Sequence, residues 1–227
     1  ASNLPDGIAL YRSPAEVDGE FEVALLGIKP QMLAALAPEI APLLAPDALL
    51  ISILAGSPST ALSAHFPNAR VVRLMPNLAA AIGKSPLGLF STQSDQAARE
   101  KIETMLSALG APVWLAEEGQ MDAVTALAGS GPAFVYRFID ALAKGGVAAG
   151  LAPELAANLA LATVQGAALL AADSDENPAQ LAAQVTSPGG TTAAGLAVLD
   201  GDDALQKLVT ATLKAARDRG AELAKGT

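Results

Sequence analysis

The 227-residue chain contains no cysteine. Disulfides and thiolate metal ligands are thereby excluded, a usage that fits a reducing compartment. Histidine is nearly absent as well. The one residue of this type, His65 in Ala61-Leu62-Ser63-Ala64-His65-Phe66, falls near an expected helix end, where a surface or capping role is expected, and no metal site is anticipated. Also missing is any uninterrupted run of about 18 apolar residues free of proline and charge, the length that crosses a bilayer as a helix, so no membrane span is expected. The opening Ala1-Ser2-Asn3-Leu4-Pro5-Asp6-Gly7 lacks the charged and apolar regions of a secretion signal, and a cytoplasmic protein is the expectation. Basic residues are outnumbered 14 to 23 by acidic ones, for a formal net charge of −9, which argues against broad binding of nucleic acid or acidic membrane. An anionic ligand must then be held by local groups.

What is present is alternation. Residues Glu22 to Ile28 form an apolar run continuous enough for a strand buried on both faces, and Lys29-Pro30-Gln31 begins a helical pattern with proline in the tolerated first turn. Leu49 to Leu54 repeats the strand signal, and Ser57-Pro58-Ser59 repeats the helix start. Val71 to Met75 and Leu87 to Ser91 read as further strands, with an amphipathic helix from Ser94 to Leu109. Strands alternating with helices imply an α/β, doubly wound parallel sheet.

After Pro112-Val113-Trp114-Leu115 the strand signals stop, and the character of the chain changes near residue 117. Most of the chain beyond Met121 reads as helix, broken at Gly129-Ser130-Gly131-Pro132, Gly145-Gly146, Ala152-Pro153, Asn177-Pro178 and Pro188-Gly189-Gly190. These helices are rich in alanine and glycine and apolar on more than one face, as in Leu155-Ala156-Ala157-Asn158-Leu159-Ala160-Leu161-Ala162. Helices of that kind must be enclosed, and a second copy of the chain is the expected cover. The chain divides accordingly into residues 1–117, carrying the sheet, and 118–227, all helical. Glu117 and Glu118 are adjacent, so their side chains point apart, and both are expected to be solvated rather than to form an acid/base pair.

A nucleotide-binding sheet normally opens with a strand, a Gly-x-Gly-x-x-Gly turn and a helix, where the glycines let a pyrophosphate meet the helix N-terminus. That turn does not occur in the sequence. The nearest candidate, Gly129-Ser130-Gly131-Pro132, comes after a helical stretch and has proline where an adaptable backbone is needed, so it reads as a break between helices at the domain junction.

The most informative stretch is Val185-Thr186-Ser187-Pro188-Gly189-Gly190-Thr191-Thr192, ahead of the small apolar run Ala193-Ala194-Gly195-Leu196-Ala197-Val198-Leu199-Asp200. It describes a tight turn opening a helix, with unpaired backbone N–H groups, glycines that admit a ligand to the backbone, and hydroxyls beside the anion site. On spacing alone such clusters are most often simple helix caps.

This stretch, from Val185 to Asp200, resembles the signature of the pyrroline-5-carboxylate reductase family, the last enzymes of proline synthesis. Asp122-Ala123-Val124-Thr125-Ala126-Leu127-Ala128-Gly129-Ser130-Gly131-Pro132-Ala133-Phe134 is similar to the opening of that family's helical domain. Arg73-Leu74-Met75-Pro76-Asn77 resembles its segment at the nicotinamide end of the cofactor site.

The resemblance implies a Rossmann-like parallel sheet domain followed by an all-helical dimerisation domain, and a homodimer or larger homo-oligomer. Against the family pattern, the sequence is expected to begin after the first strand, phosphate turn, first helix and second strand. The implied reaction is reduction of 1-pyrroline-5-carboxylate to L-proline, with NADPH favoured over NADH and no metal. Reducing a cyclic imine needs a hydride at carbon, a proton at nitrogen and a fixed ring, and proximity supplies much of the acceleration, so a site without His, Cys or metal suffices. By the same resemblance Ser187, Gly189, Gly190 and Thr191 would hold the substrate carboxylate. Thr192 would face the ring nitrogen as a hydrogen-bonding group and proton relay. Gly27-Ile28-Lys29-Pro30 and Ser52-Ile53-Leu54-Ala55-Gly56 resemble the family's strand-end turns, which places Ile28, Lys29, Pro30, Ala55 and Gly56 at the cofactor, with Asn77 bonding its ribose or carboxamide. On sequence alone Lys29 is equally a solvated helix-start lysine and Asn77 a turn asparagine. Two other classes remain open: a reductase of the β-hydroxyacid dehydrogenase kind, for which Lys144 is the lysine nearest the opening helix, and a non-catalytic truncated relative.

Overall fold

A computed structural model describes residues 7–225. Strands β1 (Phe21–Leu26), β2 (Leu44–Ser52), β3 (Arg70–Met75), β4 (Ser85–Phe90) and β5 (Gly110–Trp114) form one sheet in the order of the chain. Between them run α1 (Leu33–Ile40), α2 (Ser59–His65) and α3 (Gln96–Leu106).

Three of the four pairings are parallel, but β3 and β4 are antiparallel, with Arg73 opposite Phe90 and Met75 opposite Gly88. The fully parallel sheet expected from alternation is therefore a mixed one. Connection length explains the difference. Residues 27–43, 53–69 and 91–109 each contain a helix and return the chain in parallel, whereas residues 76–84 hold only the 3₁₀ segment Leu78–Ile82, and a parallel crossover needs about a dozen residues or more.

Side-chain alternation feeds two cores. Leu26, Leu50 and Val71 pack under α1 and α2 with Leu33, Ala37, Leu62 and Phe66, while Ile51, Val72, Leu74, Leu87 and Leu89 meet Ile102 and Leu106 of α3 on the other face. The first strand, expected to be buried on both faces, is not: Leu26 is buried but Leu25 is 63% exposed. β1 bonds a neighbour on one side only, and of its side chains on the α3 face Val23 packs against the cluster that holds Ile102 and Leu106 while Leu25 does not.

Helix starts lie close to where the sequence puts them. Lys29 precedes the 3₁₀ turn Pro30–Met32 that leads into α1, Pro58 precedes α2, and the Asp95 carboxylate accepts from the Ala98 N–H at 2.8 Å to cap α3. His65 ends α2.

The compact unit that carries the sheet comprises residues 7–129 and 217–225, and residues 130–216 form the other. Within the first, a 3₁₀ turn Glu118–Gln120, the short helix α4 (Met121–Val124) and a π-helical turn Thr125–Gly129 lie on the sheet, with Met121 buried against Met75 and Phe90.

The second unit is built from α5 (Gly131–Ala148), α6 (Pro153–Asp173), α7 (Pro178–Gln184), α8 (Thr191–Asp200) and the first part of α9 (Ala204–Lys225). α5 and α6 pair closely because Gly146 faces Ala156, where an added Cβ would lie 3.2 Å from the alanine methyl. Even so, no residue of α5 is buried, and in α6 only Ala156 and Ala160 are. α6 is long and apolar enough by length and composition to cross a membrane, although Asn158 and Gln165 interrupt it.

Candidate active site

Because β1, β2 and β3 run the same way, their carboxyl ends share one edge of the sheet, the edge where open α/β sheets bind ligands. The structure brings Gly27–Pro30 and Ile53–Gly56 together there. The Ile53 N–H donates to the Leu26 carbonyl at 3.1 Å, and a Cβ on Gly27 would lie 3.5 Å from Ile53 Cδ1. Lys29 and Ala55 are exposed, Ile28 and Pro30 half-buried, and Gly56 has φ +74°. Lys29 makes no ion pair among the described residues.

Asn77, after β3, is differently placed. Its Oδ1 accepts from the Ala79 N–H and its Nδ2 donates to the Ala128 carbonyl, both at 2.9 Å, while its own N–H donates to Ser85 Oγ. The amide caps one 3₁₀ segment and ties it to the π-helical turn.

Glu118 is half-buried and paired rather than simply solvated as expected. Its Oε1 accepts from the Ser59 N–H at 2.6 Å, from Ser59 Oγ at 2.9 Å and from Arg73 Nη1 at 2.8 Å, with side-chain exposures of 7% for Arg73 and 26% for Glu118. Burial pushes the Glu118 carboxyl up, but the Ser59 backbone and hydroxyl together with Arg73 outweigh it and hold it below its ordinary value. Adjacency in sequence showed only that the two glutamates diverge, and so missed that one of them turns inward. Glu117 does behave as a surface residue, joining Gln120 in a capping box.

In the second unit, the turn between α7 and α8 presents unpaired donors. Thr186 closes the end of α7 through its hydroxyl to the Ala182 carbonyl at 2.6 Å, and the Gly190 N–H donates to the Ser187 carbonyl at 3.0 Å. Gly189 has φ +70°, which favours glycine, and a Cβ on Gly190 would lie 2.6 Å from Ser187 Oγ, so a side chain there would displace that hydroxyl. Gly190 is the N-cap of α8, and no side chain caps that helix. The N–H groups of Thr191, Thr192 and Ala193 precede the first intrahelical bond, from Ala194 to Gly190. The hydroxyls of Ser187, Thr191 and Thr192, all on exposed residues, make no hydrogen bond to other described residues. Donors and hydroxyls thus face outward at the positive end of a ten-residue helix.

Lys144 lies on an exposed stretch of α5, where its Nζ meets Asp140 Oδ2 at 2.8 Å in a pair shared with Arg137.

A sheet with exposed turns at its carboxyl edge, followed in the chain by a helical unit with uncapped N–H groups at a helix start, has the arrangement of a dinucleotide-dependent reductase. Residues 118–223 match the family model for pyrroline-5-carboxylate reductase dimerisation, and the chain is 40% identical to a pyrroline-5-carboxylate reductase of Pseudomonas aeruginosa, over 96% of the chain and 80% of that protein. The chain belongs to the pyrroline-5-carboxylate reductase family. Among solved structures it is similar to the enzyme of Coxiella burnetii, at 30% identity and a TM-score of 0.88 over 96% of this chain and 81% of that one. It is also similar to the Plasmodium falciparum pyrroline carboxylate reductase with NADP bound, at 28% identity and a TM-score of 0.81 over 98% and 86%.

Proposed function

We propose that the protein reduces 1-pyrroline-5-carboxylate to L-proline, with NADPH preferred over NADH. The observation that carries this reading is the turn at residues 187–192, where the N–H groups of Thr191 and Thr192 and the hydroxyls of Ser187, Thr191 and Thr192 make no hydrogen bond among the described residues.

The turn suits a small carboxylate with a neighbouring polar atom. Ser187 and the backbone of Gly189, Gly190 and Thr191 bind the carboxylate, helped by the partial positive charge at the start of α8. The Thr192 hydroxyl takes the ring nitrogen, fixing the ring and holding a proton at that atom. As the imine becomes an amine, its carbon gains a hydride and its nitrogen keeps or gains a proton, so the C=N double bond becomes a single C–N bond.

A dinucleotide fits the carboxyl edge of β1–β3, where Lys29 is exposed and makes no ion pair among the described residues. Ile28, Lys29, Pro30, Ala55 and Gly56 would hold it. Asn77 shapes the third turn of that edge through its two amide bonds. When bound, the nicotinamide supplies the hydride. NADP in the Plasmodium falciparum relative supports the preference for the phosphorylated cofactor. A second copy of the chain covers the apolar faces of α5 and α6, as the dimerisation family model supports.

The test is NADPH oxidation by the purified protein in the presence of pyrroline-5-carboxylate, with proline identified by mass. Turnover that requires both reactants supports the reading, and absence of proline with either NADPH or NADH overturns it.

A further inference from the structure

Arg73, Glu118 and Ser59 form a charged cluster to which the proposed imine reduction assigns no part. Ser59 opens α2, three positions after Gly56. Arg73 lies on β3 shortly before the Pro76-Asn77 turn, and Glu118 starts the segment 118–129 that packs on the sheet. One carboxylate oxygen takes donors from two of these three places while belonging to the third. The far end of that segment is fixed separately, by Asn77 Nδ2 on the Ala128 carbonyl.

We propose that Glu118 is a positioning residue for the dinucleotide. By binding the first N–H and the hydroxyl of α2, it fixes the end of the turn that carries Ala55 and Gly56, and Arg73 holds the carboxylate in place from β3. This inference rests on the assignment of the carboxyl edge to the cofactor. The start of the turn is held by the buried Leu54 and by the Ile53 N–H on the Leu26 carbonyl, whereas Ala55 is exposed and, beyond the buried Ser57, its far end is tied by the Ser59 bonds to Glu118. An exposed turn loses entropy when a ligand binds unless both of its ends have been ordered beforehand. The nearly buried Arg73 guanidinium makes a single-partner loss severe, because removing Glu118 leaves a cation without its counter-charge.

The experiment measures NADPH binding by quenching of protein fluorescence, the KM for each reactant, and thermal stability, for wild type, Glu118→Ala, Glu118→Gln and Ser59→Ala. The expected result for Glu118→Ala is a rise of about tenfold in the NADPH dissociation constant and in its KM, with the KM for pyrroline-5-carboxylate within about twofold of wild type. Glu118→Gln, which keeps an oxygen for the Ser59 donors, should recover part of the loss. Ser59→Ala, which keeps the backbone donor, should raise the NADPH constant by about twofold to threefold and remains informative where Glu118→Ala fails to fold. Lower stability with unchanged NADPH constants in the folded variants would make the cluster purely structural and overturn the proposal. If the wild type binds no dinucleotide, the assignment of the carboxyl edge itself falls, an outcome distinct from variants that match a binding wild type.

Discussion

In the proposed reaction Thr192 carries the heaviest demand of any single side chain. Its hydroxyl is exposed, has no partner among the described residues, and sits beside three helix-start N–H groups that α8 does not use. Replacing it with alanine should lower kcat by about 10²- to 10⁴-fold, the span of a lost proton-transfer group. Stability should move by no more than about 0.5 kcal/mol, as for a surface change. Steady-state kinetics and a thermal melt on the same sample check both, and a large loss of stability with normal turnover would remove Thr192 from the mechanism. Glu118 is the contrasting case, a polar residue whose partners are all internal. Its folded-state carboxyl titrates below the ordinary glutamate value of 4.5. A lowered folded value means that the carboxylate contributes stability above the ordinary value, and that this is lost as pH falls through the folded value. The difference in Tm between wild type and Glu118→Gln should therefore be largest near neutral pH and narrow below about pH 4.5; a difference that stays constant to pH 3 would contradict the ion pair.

Among the elements, the β4–β5 pair is held to the tightest tolerance. Gly110 has φ +148°, and a Cβ there would fall 2.0 Å from the Ser85 carbonyl oxygen, a backbone atom that cannot swing away. Gly110→Ala should thus cost about 3 kcal/mol or more, read as a lowered denaturation midpoint with an unchanged slope. The strands themselves were legible as apolar runs, with displaced ends: Leu49 to Leu54 is realised as Leu44–Ser52, and Leu87 to Ser91 as Ser85–Phe90. Their direction was not, because an apolar run looks the same whichever way it is laid beside its neighbour. The short link at residues 76–84 was the available sign that β4 turns back, and it was outweighed by the regular alternation before it. Similarly, the run at β1 does not reveal that Leu25 stays outside the core while Val23 on the same face joins it.

For the whole molecule, the helical unit is the part least satisfied by its own chain. Val135, Tyr136, Phe138, Leu159, Leu161 and Leu170 are all at least 45% exposed, an extent of apolar surface that isolated soluble domains avoid. With a homo-oligomer covering these faces, the protein should run in light scattering at no less than twice the mass of one chain, and its Tm should rise with protein concentration. A monomer of concentration-independent Tm would show that the helices are covered in some other way.

The sequence by itself determined the order of elements, the switch from strands to helices near residue 117, and the turn at 187–192, because periodicity, proline and glycine act over a few neighbouring residues. It also sufficed to place Ile28–Pro30 and Ala55–Gly56 at strand ends, since a strand's end is a local event. Only the tertiary structure decided the antiparallel β4, the exposed Leu25 of β1, the internal use of both ends of the Asn77 amide, and the pairing of Glu118 with Arg73 and Ser59. Each of these depends on a face left uncovered or on a partner far along the chain, 59 positions away for Ser59 and Glu118. Pairing over such distances is set by which surfaces meet when the layers pack, a choice that no local pattern of residue types encodes.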